Sequence, residues 1–155
     1  MKTRIVALTI VVMCFAVAVA LAADATVGSW KLNLTKSKYS PGPAPKSSTI
    51  KVEATGQDMK VTIDTENADG TKLHSEWVGK YDGKDYAVKG DPNSDMRSYK
   101  KIDDYTIEAT AKKAGKVTTT TKSVYSKDGK TRTSTQTGTN AQGQKVNSSI
   151  FYDKQ

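Results

Sequence analysis

The chain has 155 residues, with 24 basic and 16 acidic side chains, a net charge of +8, one cysteine and one histidine. One cysteine excludes an internal disulfide framework, and one histidine leaves no material for the usual zinc-ligand clusters. Only 36% of the residues are hydrophobic, and many of these lie in the N-terminal stretch, so the remainder has a modest supply for a core.

Lys2 and Arg4 precede an apolar run from Ile5 to Leu21 that ends in Ala20-Leu21-Ala22. A positive start, an apolar stretch and a small-x-small ending are the three parts of a secretory signal. A membrane anchor is the rival reading, since the run is near the lower length limit for a span. No basic stop-transfer flank follows it, and Cys14 lacks the small neighbours of a lipoprotein cysteine. The expectation is a cleaved signal helix over 1–22 and one exported domain over 23–155, periplasmic or extracellular. That domain would hold no cysteine and no transmembrane span.

The first stretch after the leader is Gly28-Ser29-Trp30-Lys31-Leu32-Asn33-Leu34. Trp30, Leu32 and Leu34 fall on one face and Lys31 and Asn33 on the other, the period of a half-buried strand. Thr35 to Ser47 follows, with Pro41, Pro43 and Pro45. Prolines at that spacing exclude a helix and a central strand and predict an extended connection. A proline-rich ligand motif is the minor alternative.

Alternating stretches then recur: Ile50-Val52-Ala54, Met59-Val61-Ile63, Leu73-Ser75-Trp77 and Tyr86-Val88. Met96 to Ile102 is a poorer one, and Tyr105-Ile107-Ala109-Ala111 a clean one. Val117 to Tyr125, Thr131 to Thr139 and Val146 to Tyr152 complete about ten strands. No helical apolar period appears after the leader. The fold class expected is all-β: an antiparallel up-and-down barrel of about ten strands.

Turn chemistry sets the register. Ala68-Asp69-Gly70, Tyr81-Asp82-Gly83, Lys127-Asp128-Gly129 and Ala141-Gln142-Gly143 share one recipe. Two-residue loops would mix charge into the apolar face. Three-residue loops closed by a glycine bulge pair Val61 with Trp77, Ile63 with Ser75, Asp64 with His74 and Glu66 with Lys72. In the last hairpin they pair Ile150 with Ser134, Tyr152 with Arg132 and Ser148 with Gln136. A faint repeat relates Gly56, Asn67, Gly70 and Ser75 to Gly129, Asn140, Gly143 and Ser148. Turn chemistry alone accounts for it at least as well as duplication.

Several functions find little material. His74 falls on the outward face beside Asp64 and Glu76. Asp64 and Glu66 alternate with lysines, and Asp103-Asp104 occupy a turn, so no glycosidase-like carboxylate pair stands out. The lysines are scattered, and Arg97 and Arg132 are the only arginines after the leader, so specific nucleic-acid binding is not expected. Outward Lys60, Asp64, Glu66, Lys72, Glu76 and Lys80 exclude an outer-membrane barrel. No enzyme activity, catalytic residue, metal site or cofactor is expected.

The inward face remains. Trp30, Val61, Trp77, Ile150 and Tyr152 share parity with their apolar neighbours. Arg132 joins them through the turn register as the inward cation. A buried charge is costly unless something answers it. A structural partner, such as a backbone carbonyl or water, and an anionic ligand both remain open.

Gly28-Ser29-Trp30-Lys31-Leu32 and the closing Ile150-Phe151-Tyr152-Asp153-Lys154 resemble the first and last strands of the fatty-acid-binding branch of the calycin superfamily, which also holds the lipocalins. The chain also resembles small secreted bacterial proteins with this opening and a Gly-Pro-x-Pro loop. The resemblance implies a calycin-like barrel over the exported part and a small apolar or amphipathic ligand. It departs at two places. Fatty-acid-binding proteins carry Arg-x-Tyr on the last strand, where this chain has Ile150 and Tyr152. Their helical lid is replaced by the proline-rich loop. The expected ligand-binding residues are Trp30, Val61, Trp77, Arg132, Ile150 and Tyr152. The alternative is an envelope or protein-interaction module with a filled interior. Neither reading fixes the oligomeric state.

Overall fold

The computed structural model describes residues 24–140 and 142–155, so the expected signal segment 1–22 lies outside the described residues. Ten antiparallel strands form one closed barrel in which each strand pairs with its sequence neighbour and the last closes on the first. They are β1 (Gly28–Leu32), β2 (Ser47–Thr55), β3 (Asp58–Glu66), β4 (Lys72–Gly79) and β5 (Asp82–Lys89). The second half is β6 (Met96–Asp103), β7 (Thr106–Lys113), β8 (Lys116–Tyr125), β9 (Thr131–Thr139) and β10 (Lys145–Lys154). Closure gives each of the ten strands a neighbour on both sides, so none is an edge strand of the kind that another chain extends. The only helical element among the described residues is a short 3-10 turn, Leu34–Lys36. None of these residues forms a helix long and apolar enough to cross a membrane.

The expected registers hold. Val61 faces Trp77, Ile63 faces Ser75, Asp64 faces His74 and Glu66 faces Lys72. Ile150 faces Ser134, Tyr152 faces Arg132 and Ser148 faces Gln136. The physical cause is visible at the β3–β4 loop, where the Asn67 N–H donates to the Thr71 carbonyl and the Gly70 N–H to that of Asn67, each at 2.9 Å. Gly70 closes it at φ 90, a left-handed value that glycine adopts without a Cβ penalty. Asn140 and Gly143 make the same two bonds before β10, so the faint repeat marks two equivalent hairpin loops at the same end of the barrel.

Local expectations fail at three points. β1 stops at Leu32, and Leu34 turns outward, 43% exposed, because the 3-10 turn capped by the Asn33 side chain takes over. Asp82-Gly83 is not a hairpin loop: both lie in β5, where the ladder with β6 slips between Asp82 and Asp85. Tyr105 lies just before β7 and is exposed, while Ile107 and Ala111 behind it are buried.

β1 spans only five residues, whereas β10 spans ten, which leaves the upper part of their seam open. The connection after β1 fills it. Lys38 forms an isolated bridge with Ser149, and the Asn147 N–H donates to the Ser40 carbonyl at 2.8 Å. This carries Tyr39 inward against the core and sets Pro43 and Pro45 at the rim.

The barrel's two ends are built differently. At the end where β1 begins, Trp30 is wholly buried and donates its indole N–H to the Thr26 carbonyl at 3.0 Å. Tyr125 packs edge-on to it at 5.1 Å. Trp77 meets Tyr99 at 4.5 Å and Tyr81 at 6.1 Å, and its indole N–H donates to the Arg97 carbonyl at 2.9 Å. Large rings with satisfied N–H groups plug this end, each buried side chain worth roughly 1.5–3 kcal/mol. Toward the other end many of the inward positions are small or polar: Ser48, Ala109, Ala111, Thr119, Thr121, Ser134, Gln136 and Ser148. Side chains that small cannot fill the lumen.

Candidate functional site

Small inward residues leave two adjoining chambers that share five lining residues. The outer one, of about 590 Å3, opens between the proline loop and the β3–β4 loop. Tyr39, Ile50, Ile63, Ile150 and Tyr152 give it apolar walls, with Ser48, Thr65 and Gln136 among them. The deeper one, of about 130 Å3, continues from Ile50, Ile63, Gln136, Ile150 and Tyr152 down to Arg97, Tyr99, Arg132 and Ser134. An apolar mouth above a few convergent polar groups is the usual form of a small-molecule site.

Arg132 is 8% exposed and sits among neutral groups. Its Nε donates to Ser134 Oγ at 3.1 Å and its Nη2 to Ser123 Oγ at 3.0 Å. The guanidinium also lies 5.6 Å from the Tyr125 ring centroid and 5.2 Å from that of Tyr152. Burial pushes both phenols up from their ordinary values, against the pull of Arg132, so they stay neutral and supply no counter-charge. The two serine oxygens are 2.9 Å apart, so one hydroxyl proton is spent on the other oxygen. A guanidinium has five N–H donors. The cluster therefore keeps unused donors, a hydroxyl among them, and no carboxylate.

Arg97 is a second inward cation, which the expectation of Arg132 as the sole one did not include. Its Nη2 donates to Asp91 Oδ2 at 2.7 Å and to Ser94 Oγ at 3.2 Å. Both members of the ion pair are largely buried, so Arg97 is neutralised where it stands. The sequence signal was its parity with Tyr99, masked because lysines and Ile102 blur the alternation of β6.

The six expected ligand-binding residues divide. Ile150 and Tyr152 line both chambers, and Arg132 lines the deeper one. Trp30, Val61 and Trp77 belong to the packed core and line neither chamber. The reason is depth: strand parity points all six inward, but these three sit in the plugged half. Tyr39, Ser48 and Gln136 join the walls instead. Gln136 was legible from the β9–β10 register, whereas Tyr39 comes from a loop that no strand period governs.

His74 lies outside the barrel, with Nδ1 2.6 Å from Asp64 Oδ1. Among the described residues no group of three His, Cys, Asp or Glu side chains is placed to hold a metal. No protein-family model and no curated protein matches this chain.

Proposed function

We propose that the protein is a non-enzymatic binding protein for one small amphipathic anion, its apolar part in the outer chamber and its head group on Arg132. In this reading it is an exported, calycin-like carrier acting in the periplasm or outside the cell. The observation that carries the reading is Arg132, a buried cation with unused donors, no carboxylate partner and a cavity above it. A buried charge without a partner is costly, and an anionic ligand would offset that cost. The chambers argue against the alternative, an interaction module with a filled interior. A non-enzymatic role fits the position of His74, the single histidine, on the outer surface.

The test is isothermal titration with amphipathic anions such as fatty acids, supported by tryptophan fluorescence, on wild type and on Arg132→Ala and Tyr152→Phe. A charge-assisted hydrogen bond is worth about 1.5–3 kcal/mol, so Arg132→Ala is expected to weaken binding by about ten- to a hundredfold. Failure of every amphiphile to bind, or equal binding by Arg132→Ala, would overturn the reading.

A further inference from the structure

The deeper chamber holds two arginines but only one of them has a counter-ion. Asp91 reaches Arg97 from the loop between β5 and β6, and Ser94 Oγ donates to the same carboxylate oxygen. Arg132 is held by Ser123, Ser134 and two neutral tyrosine rings. Asp69 is the one carboxylate lining the outer chamber, and it is exposed at the rim, where water screens it. Asp95 accepts from the Ala114 amide at 2.8 Å and lines neither chamber. Arg97, Asp91 and Arg132 together therefore carry a single net positive charge.

We infer that Asp91 sets the charge of the ligand: the chamber selects monoanionic head groups and rejects dianionic ones. The inference rests on the ligand reading above and adds the head-group class to it. One negative charge finds Arg132 free. A second finds Arg97 already bonded to Asp91, and must either stay unpaired in a buried chamber or break that ion pair. Either route is costly, because removing one partner of a buried pair leaves the other uncompensated. Donor geometry alone would not discriminate in this way, since three N–H groups of Arg132 and a serine hydroxyl serve a phosphate as well as a sulfonate.

The test uses three amphiphiles with one tail, titrated calorimetrically at pH 8: octyl sulfonate, octyl methyl phosphate and octyl phosphate. The first two carry one negative charge. The third carries about two, because the second pKa of a phosphate monoester is about 6. Wild type is expected to bind both monoanions alike and octyl phosphate at least about tenfold more weakly, a floor set well below the contact value of one unpaired charge at intermediate dielectric. Asp91→Asn frees Arg97 and is expected to shift the ratio toward octyl phosphate by about tenfold. The double variant Asp91→Asn with Arg97→Gln restores one net positive charge and is expected to restore the wild-type ranking. Circular dichroism checks that each variant is folded. Should Asp91→Asn alone unfold, Arg97→Gln runs the comparison in reverse and must weaken all three, octyl phosphate most. An unchanged ratio in folded Asp91→Asn, or the same loss for all three in Arg97→Gln, overturns the charge rule and leaves the binding function standing. Absence of binding by wild type overturns both.

Discussion

Tyr152 stands directly opposite Arg132 in the β9–β10 ladder, and its ring centroid lies 5.2 Å from the guanidinium carbon. On the other side Tyr125 is opposite Arg132 in the β8–β9 ladder, at 5.6 Å. The two neighbouring strands thus place an aromatic ring on each side of one buried cation. Desolvated cation–π contacts are worth about 2 kcal/mol, which offsets part of the cost of burial without neutralising the charge.

Replacing that cation separates stability from binding. Arg132→Met keeps an unbranched apolar stem and removes the buried charge, so the urea midpoint is expected to stay level or rise. Buried ionic groups replaced by well-packed apolar ones are often neutral or stabilising by about 1–4 kcal/mol. Amphipathic anion affinity is expected to fall in the same variant. A loss of more than about 2 kcal/mol in urea unfolding would mean that the arginine is there to hold the fold.

Trp30 gives the opposite pattern. Trp30→Phe removes the indole bond to the Thr26 carbonyl and part of the plug. The cost is expected to be about 1–3 kcal/mol in thermal or urea unfolding. Ligand affinity is expected to stay unchanged, because Trp30 lines neither chamber.

Two glycines with positive φ separate strain from crowding. Gly56 has φ +68 and open space within 4 Å of where a Cβ would stand, so Gly56→Ala is expected to cost about 1–2 kcal/mol, the left-handed penalty alone. At Gly90, φ +77, a Cβ would stand 2.0 Å from the His74 carbonyl oxygen. Gly90→Ala is expected to be clearly worse in urea unfolding and, by displacing the neighbouring Asp91 from Arg97, to shift binding toward dianionic head groups. Equal costs at the two sites would refute the crowding.

His74 is a pH reporter outside the barrel. Its hydrogen bond with Asp64, opposed by desolvation and helped by Glu76, raises its pKa above the ordinary histidine value. The stabilisation is therefore present below the unfolded value of about 6.5 and is lost as pH rises through the higher folded value. NMR titration is expected to show the raised pKa, and Asp64→Asn to lower it. A His74 titrating at or below its ordinary value in wild type would contradict the contact.

The register was legible because side-chain sorting and turn chemistry agree. With Gly70 and Gly143 closing three-residue loops, only one pairing keeps Asp64 and Glu66 on the same face as His74 and Lys72. Strand number followed from the same alternation. The Leu34 and Asp82-Gly83 readings failed because a side-chain cap at Asn33 and a ladder slip in β5 override local period.

Parity states whether a residue points inward, but not how far along the barrel axis it lies or what stands across the lumen. The chain by itself determined the ten-strand order, the inward arginine on β9 and the tyrosine opposite it, since each depends on neighbours within one hairpin. Only the tertiary structure decided that Trp30, Val61 and Trp77 pack one end while Ala109, Ala111 and Ser134 leave the other hollow. It also brought Asp91 onto Arg97 and left Arg132 without a carboxylate. Closure sets non-adjacent strands face to face across the lumen, and those distances have no counterpart in sequence spacing.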